Sequence, residues 1–125
     1  MQYIYSMKPI DDLKYWDIVC QQMTELQFPG TEESTSYGTP SYKIKKAFLC
    51  RIWEDGKTLV IHTNDRDEWL DNDDDGIFFV TEHYFNYPYV LVRLNLISKK
   101  KLRSLLIKSW KEIAPAKLIA EWERR

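Results

Sequence analysis

The chain has 125 residues, of which 44% are hydrophobic and 14% aromatic, a size and composition typical of one folded domain rather than of a disordered chain. Its formal net charge is −1, which argues against the strongly basic class of nucleic-acid binders. No run approaches the roughly 18 uninterrupted apolar residues that a membrane span needs, so we expect no membrane partner.

The start of the chain and its cysteines indicate a cytoplasmic protein. Residues 1–8 have neither the basic head nor the apolar stretch of a signal peptide. The two cysteines, Cys20 and Cys50, are 30 positions apart and form no CxxC pair. In a reducing compartment such thiols remain small buried side chains, so we predict core positions for both and no metal or redox role.

Charge is unevenly spread along the sequence. The range 54–75 holds nine acidic residues against two basic ones, whereas the range 99–125 holds nine basic residues against three acidic ones. Runs of this kind usually form solvated faces of a domain. We therefore expect two oppositely charged surfaces that attract each other across a single domain.

The range 10–28 predicts the first helix, because its apolar residues recur at close to 3.6-residue spacing until Pro29 and Gly30 break the pattern. Those apolar positions are Leu13, Trp16, Ile18, Val19, Met23 and Leu26. The range 31–40 is polar, with Gly38 and Pro40 near its end, and predicts a surface loop.

Five strands and two further helical regions are predicted after this loop. The first three strands fall at 41–44, 47–53 and 58–63, and the Asp-Gly pair at 55–56 is a strong hairpin signal between the last two. Asn64 is expected to cap a short helix over 65–70. Strands at 77–80 and 89–94 follow, then a helix capped by Ser98 and interrupted by Pro115. This order predicts a two-layer α+β fold, α-β(3)-α-β(2)-α, with an antiparallel sheet carrying helices on one face.

The range 71–82 matches the calcium-loop template, with acids at positions 1, 3 and 5, Gly at 6 and Glu at 12. A true loop of this kind lies between two helices, yet here its positions 7–10 are Ile-Phe-Phe-Val and Pro88 follows soon after. Burying those four apolar residues in a strand contributes several kcal/mol that the calcium geometry would forfeit. We therefore predict a core strand and no metal site.

No catalytic arrangement can be named from the residues. His62 and His83 are the only histidines, and neither has a second histidine or a cysteine at zinc-ligand spacing. The sequence also contains no nucleophile elbow, Walker loop or dinucleotide fingerprint. We expect no cofactor and a non-enzymatic protein.

Three segments of the sequence carry a resemblance to a known family. They read Tyr-Gly-Thr-Pro-Ser-Tyr-Lys at 37–43, Glu-Asp-Gly-Lys-Thr-Leu-Val at 54–60, and Phe-Val-Thr-Glu-His-Tyr followed by Tyr-Pro-Tyr-Val-Leu-Val-Arg-Leu within 79–94. In order, spacing and residue type, the chain resembles the MmcQ/YjbR-like family of small bacterial proteins from about residue 10 to residue 117. Tyr42, Glu82 and Tyr89 stand where that family typically has Phe, Pro and Trp.

The resemblance implies a single MmcQ/YjbR-like domain over 1–125, with a two-layer fold related to secretion chaperones. Because members of the family are often labelled DNA-binding, it also implies weak DNA binding as one function. A fold does not fix a function, so a protein-partner or small-ligand binding module is the alternative.

Strand alternation separates two faces of the predicted sheet. One face receives Phe48, Cys50, Ile52, Val90, Val92 and Leu94, and the other receives Arg51, Trp53, Tyr89 and Arg93. If helices cover only the apolar face, the second face leaves arginines and aromatic rings open, and such platforms stack bases or hold phosphates. Otherwise a further helix or a dimer partner covers it.

The two binding hypotheses make different structural predictions. Nucleic-acid binding predicts that the basic residues Lys43, Lys45, Lys46, Arg51 and Arg93 form one positive surface. A ligand module predicts a pocket lined by the segments 37–43 and 83–89, with His83 and Tyr84 as exposed contacts. An enzyme would need His83 within hydrogen-bond reach of a second polar group. The candidate binding residues are Tyr37, Pro40, Lys43, Lys45, Lys46, Arg51, His83, Tyr84, Tyr87 and Arg93.

Overall fold

A computed structural model describes residues 13–125, so the predicted first turn of the first helix at 10–12 and the chain start at 1–8 lie outside the described residues. The elements, in chain order, are α1 (Lys14–Leu26), β1 (Thr31–Ser36), β2 (Thr39–Ile44), β3 (Ala47–Ile52), β4 (Thr58–His62), α2 (Arg66–Asp71), β5 (Phe78–Phe79), β6 (Tyr89–Arg93), α3 (Lys99–Ile113) and α4 (Ala116–Glu123). None of the helices between residues 13 and 125 has the length and apolar character needed to cross a bilayer.

The six strands form one antiparallel sheet in the order β1-β2-β3-β4-β6-β5. The predicted two-layer α+β class is confirmed. The main apolar cluster joins all four helices to a single face of this sheet. Its fully buried side chains include Val19, Ile44, Leu49, Leu59, Ile61, Val90, Leu102, Leu105, Leu106 and Trp110.

Aromatic packing ties the C-terminal helix to this core. The ring of Trp110 in α3 stacks on Phe28 with centroids 4.4 Å apart and an interplanar angle of 7°. Trp122 of α4 packs against both rings, and its indole N–H donates to the Leu26 carbonyl at 2.7 Å. Buried indoles need such a partner, so this hydrogen bond and the ring contacts together fix α4 against α1.

The prediction of a surface loop over 31–40 is wrong. Residues 31–36 form the edge strand β1, which pairs in unbroken antiparallel register with β2 from Thr31↔Ile44 to Ser36↔Thr39. Its polar composition reflects its place at the edge of the sheet, where five of its six residues are at least partly exposed to solvent.

The predicted face of Phe48 is also wrong, because β3 contains a bulge. Tyr42 pairs with Cys50 while Lys43 pairs with Phe48, so Leu49 is an additional residue on β3. A bulge of one residue moves every side chain beyond it to the opposite face. Phe48 consequently lies on the second face, beside Arg51.

The acidic segment partly follows its prediction. The strand expected at 77–80 is only two residues long, Phe78–Phe79, and pairs with β6. Asp73 precedes it, and its two carboxylate oxygens accept the backbone N–H groups of Ile77 and Phe78, both at 2.8 Å. Asn64 does not cap α2, which begins after Asp65, and no side chain makes that cap.

Other local predictions correspond to observed features. The Ser98 hydroxyl accepts the Lys101 N–H at the start of α3. Cys50 is buried, and Cys20 is half-buried against the same core, both as free thiols. Burial raises the pKa of each thiol, so both are protonated at neutral pH.

The two charged segments meet at one ion-pair cluster. Lys108 of α3 places its ammonium 2.9 Å from Asp65 and 3.4 Å from Glu68 in the acidic segment. The hydrogen bond to Asp65 is the main reason that the pKa of Lys108 is raised. The groups are substantially exposed, so this contact orients α2 on α3 more than it stabilises the fold.

Candidate functional site

The second face of the sheet carries no helix among residues 13–125. Its centre is a row of residues in register across four strands, with Arg51 opposite Val60, Val60 opposite Leu91, and Leu91 opposite Phe79. Val60 and Leu91 are almost fully buried although they belong to a cluster separate from the main core. Something other than a helix must therefore cover them.

The cover is the loop between β5 and β6, which turns back across the sheet. A short 3₁₀ turn, Glu82–Tyr84, brings Tyr84 onto Val60 and Leu91, where its side chain is only 7% exposed. The prediction that Tyr84 is an exposed contact is wrong, because its ring provides the apolar surface that seals this small cluster. His83, next to it, is exposed as expected.

Arg66 holds this loop in place from the first turn of α2. Its Nη2 atom donates to the carbonyl oxygen of Phe85 at 2.7 Å, and its Nη1 atom lies 3.0 Å from the carbonyl oxygen of Tyr87. Nη1 also reaches the carbonyls of Tyr84 and Tyr89 at 3.3 Å. The Tyr84 and Tyr87 carbonyls also accept backbone N–H groups within the loop, so the single Arg66 guanidinium adds a second donor to them and links four carbonyls of the irregular loop.

The opposite wall of the site is the turn between β1 and β2. Tyr37 and Gly38 form a two-residue turn with φ values of 54° and 82°, the positive pair that characterises a type I′ hairpin. A side chain other than Gly, Asn or Asp is disfavoured there by about 1–2 kcal/mol. Tyr37 is nevertheless at this position, 84% exposed, with its ring centroid 5.3 Å from the Arg51 guanidinium.

Between the hairpin and the loop lies a cavity of about 290 Å³. Its lining is mostly aromatic and consists of Tyr37, Phe48, Arg51, Glu54, Val60, His83, Tyr84, Tyr87 and Tyr89. This volume is at the lower end of the range of small-molecule sites.

Arg51 is the buried cation of this cavity, with only 5% of its side chain exposed. Its Nη1 atom donates to the Thr39 hydroxyl at 3.0 Å, and its Nη2 atom donates to the Tyr84 hydroxyl at 2.9 Å. The one carboxylate paired with it among the described residues is Glu54, which is 3.5 Å away and 60% exposed. A long contact to a solvated acid compensates a buried charge only in part.

Tyr89 connects the aromatic rings into one wall. Its ring lies 5.1 Å from Phe48 and 5.9 Å from Tyr84, and it is nearly parallel to Tyr87 at 5.8 Å. Burial, with smaller contributions from neighbouring tyrosines, raises the pKa of the Tyr89 hydroxyl. Tyr89 therefore stays a neutral hydrogen-bond donor throughout the physiological pH range.

The structure brings half of the candidate binding residues to this cavity. These are Tyr37, Arg51, His83, Tyr84 and Tyr87. The other candidates, Pro40, Lys43, Lys45, Lys46 and Arg93, do not line it. Tyr89 also lines the cavity, within the predicted segment 83–89, whereas the sequence did not indicate Phe48, Glu54 and Val60 as lining residues, nor Arg66 as the support of the loop.

The basic candidates do not share one surface. Lys45 and Lys46 form the exposed turn between β2 and β3, whereas Arg51 is buried in the cavity. Arg93 pairs with Thr58 at the far end of the strands, where its guanidinium carbon lies 4.1 Å from the Phe79 ring centroid. The prediction of a single positive surface is wrong, because each arginine is bound by its own aromatic and polar neighbours.

In residues 13–125, a metal site would need several ligating side chains together, and a catalytic role for His83 would need a polar partner within hydrogen-bond reach. This part of the chain contains no group of three histidine, cysteine or carboxylate side chains that could hold a metal ion. The nearest ring to His83 is Tyr84 at 4.7 Å, edge to face, followed by Tyr87 at 6.4 Å. Among residues 13–125, these neighbours offer His83 ring contacts and no hydrogen bond.

No family model matches the chain. Uncharacterized proteins of Mycobacterium bovis and Mycobacterium tuberculosis are 40% identical to it over 47 residues, a stretch that covers 38% of this chain and 36% of each relative. The chain thus spans little more than a third of the length of the curated relatives it matches.

Proposed function

We propose that the chain is a non-enzymatic binding module whose ligand occupies the cavity between the β1–β2 turn and the β5–β6 loop. The observation that carries this proposal is a buried Arg51 inside a cavity of about 290 Å³ with aromatic walls. Ligand sites are typically concave and mostly apolar, with a few converging polar groups. Here the polar groups are a guanidinium and several tyrosine hydroxyls.

Membership of the MmcQ/YjbR-like family is part of the same proposal. Its support is that the motif segments 37–43 and 79–94 are separated by more than thirty residues in sequence, yet both contribute to the walls of this cavity. Residues that characterise a family and converge on one cavity are better explained by a shared ligand than by packing alone. A cytoplasmic location is also proposed, because the free thiols of Cys20 and Cys50 suit a reducing compartment.

The test is a screen of small aromatic compounds followed by ¹H–¹⁵N correlation spectra of the full chain. We expect compounds that bind in the cavity to shift the amide signals of Tyr37, His83 and Tyr87. We also expect Tyr87→Ala to weaken the binding of these compounds. Lys46→Ala is the matched control, since this exposed side chain is outside the cavity. The proposal would be overturned if the compounds shifted only amide signals outside the cavity, or if Tyr87→Ala left their affinity unchanged.

Weak DNA binding is the second candidate function, favoured by the lysines of the β2–β3 hairpin. Lys45 and Lys46 are exposed in a two-residue turn, and Lys43 is half-buried on the adjoining strand. Three phosphate contacts predict that log affinity falls with log salt at a slope of about −3 on duplex DNA.

Fluorescence anisotropy at low salt tests this second candidate. Replacing the three hairpin lysines together with alanine should remove most of the salt slope, whereas Asp73→Asn, Asp74→Asn and Asp75→Asn together should leave binding unchanged or slightly stronger. No binding at about 100 μM protein and 50 mM salt would eliminate DNA, because non-specific binding usually has dissociation constants of about 1–100 μM.

A further inference from the structure

We infer that the ligand of this cavity is a small planar ring that carries an anionic oxygen group, either a carboxylate or a phosphate. The inference rests on the proposed function and names the chemical class of the ligand. Three properties of the cavity lead to it: its charge, the direction of its hydrogen-bond donors and the shape of its walls.

The charge of the cavity favours an anion. Arginine side chains carry a positive charge in proteins, and among residues 13–125 the buried guanidinium of Arg51 has only the 3.5 Å contact to the exposed Glu54 as an ion pair. A ligand oxyanion that reaches the same guanidinium from inside the cavity would be shielded from water, which strengthens the interaction. The Glu54 carboxylate at the rim would compete with such a ligand for the Arg51 guanidinium.

The hydrogen-bond donors also converge on an acceptor. The Tyr84 hydroxyl oxygen accepts from Arg51, and within residues 13–125 its own proton has no acceptor. A hydroxyl that accepts a charged hydrogen bond becomes a better donor to the next group. Arg51 and Tyr84 together therefore form a charge-assisted donor pair of the kind that binds carboxylates and phosphates.

The walls are suited to a flat ring. Tyr87 and Tyr89 lie parallel within 6°, and Tyr37 extends over Arg51 from a turn position that disfavours tyrosine. Strained backbone and exposed aromatic surface at one place indicate a function that compensates for both. Stacking a planar ligand on Tyr37 or Tyr87 would cover rings that are 84% and 52% exposed in the free protein.

Two sources supply this chemistry, aromatic carboxylates and mononucleotides. The experiment titrates the full chain with 4-hydroxybenzoate and with adenosine and uridine 5′-monophosphates. Each is compared with its neutral counterpart, 4-hydroxybenzamide or the nucleoside. Acetate and inorganic phosphate are anions without a ring, and they measure how tightly the anionic group binds by itself. The readout is the shift of the cavity amide signals, which gives a dissociation constant for each probe.

We expect at least one anionic ring compound to bind about tenfold or more tightly than its neutral counterpart, and both anions without a ring to bind more weakly. Arg51→Gln should abolish this preference, a loss of about 10- to 100-fold for the anionic probe. Glu54→Gln removes the carboxylate that is paired with Arg51 at the exposed rim and should strengthen anion binding severalfold. Glu121→Gln, an exposed acid on α4, is the matched control and should change nothing.

The outcomes separate this inference from the proposed function. Equal binding of neutral and anionic rings in the cavity, or no effect of Glu54→Gln, overturns the ligand class and leaves the binding module intact. The ligand class is also overturned, and the binding module left intact, if neutral compounds from the broader screen bind while no anionic probe shifts the cavity amide signals up to about 10 mM. A response to nucleotides alone or to carboxylates alone identifies the source.

Discussion

The two faces of this sheet are built from the same six strands but are stabilised in different ways. One face packs aliphatic side chains together with Phe28, Trp110 of α3 and Trp122 of α4 in a continuous core. The other face has a small cluster with three buried apolar side chains, Val60, Tyr84 and Leu91, under an irregular loop. A regular layer excludes ligands because it leaves no space, whereas a loop supported at a few points encloses a cavity.

The second face, called the open face below because no helix of residues 13–125 covers it, also differs in having charged side chains buried in it or bound to its loop. Arg51 is buried there with two hydroxyl partners and a distant carboxylate, and Arg66 binds the carbonyls of the covering loop. Loops that depend on a few polar contacts open at lower free energy than a packed core. We therefore expect the helix-covered face to determine global stability and the open face to determine ligand access.

Leu105→Ala tests the stability of the covered face and should have the largest effect. Leu105 lies on the buried side of α3 and is fully buried, so its truncation removes apolar contacts and leaves a cavity, with an expected loss of about 2–5 kcal/mol in the free energy of unfolding. Denaturant titration measures this loss. Leu96→Ala, at a half-exposed position, is the control and should change stability by less than about 0.5 kcal/mol. Similar losses from both would show that the covered face is not the stabilising core.

Arg66→Met should have the next largest effect and should act on the open face. The loop loses the guanidinium that links four of its carbonyls, so we expect a loss of about 1–3 kcal/mol in the free energy of unfolding and faster hydrogen exchange of the Tyr87 and Tyr89 amides. Arg93→Met is the control, because Arg93 binds a single carbonyl, that of Gly76. Unchanged exchange in the loop would show that Arg66 does not hold it.

Tyr37→Asn is expected to stabilise the protein and weaken ligand binding. Asparagine tolerates the positive φ of this turn better than tyrosine, so the free energy of unfolding should rise by about 0.5–1 kcal/mol. The control is Lys45→Asn in the β2–β3 turn, which also has a positive φ and lies outside the cavity. It should bring a similar gain without any loss of binding. If Tyr37→Asn destabilises the fold, the ring has a packing role and not a functional one.

Most of the covered face could be predicted from the sequence, because its signals are local. Helical periodicity located α1 and α3, and β-branched runs located β3, β4 and β6. Strand β1 was missed because its six residues are almost all polar, as an edge strand allows. No pattern in a single sequence distinguishes such a strand from a loop, since its pairing with β2 is a tertiary property.

The candidate site could be predicted only where motifs marked it. Tyr37, His83 and Tyr87 were named from turn-forming, aromatic segments, whereas Phe48 was assigned to the wrong face because alternation cannot register a bulge. Arg66 carries no local signal at all. Its contacts are with carbonyls about twenty residues away, and carbonyls are common to every residue type.

The smallest expected effect concerns the alkaline stability of the open face. Burial raises the pKa of Tyr89 in the folded protein above its unfolded value of about 10, so the folded state favours the protonated hydroxyl. This contribution is fully present below pH 10 and is lost as the pH rises through the folded pKa. Tyr89→Phe should therefore make the fall of stability above pH 10 shallower, while Tyr15→Phe on α1 serves as the control. Denaturation midpoints at pH 8, 10 and 11 measure the difference. If the stability of Tyr89→Phe had the same pH dependence as that of the unmodified chain, this wall of the cavity would be open to water. The argument that an oxyanion beside Arg51 is shielded from water would then fail as well.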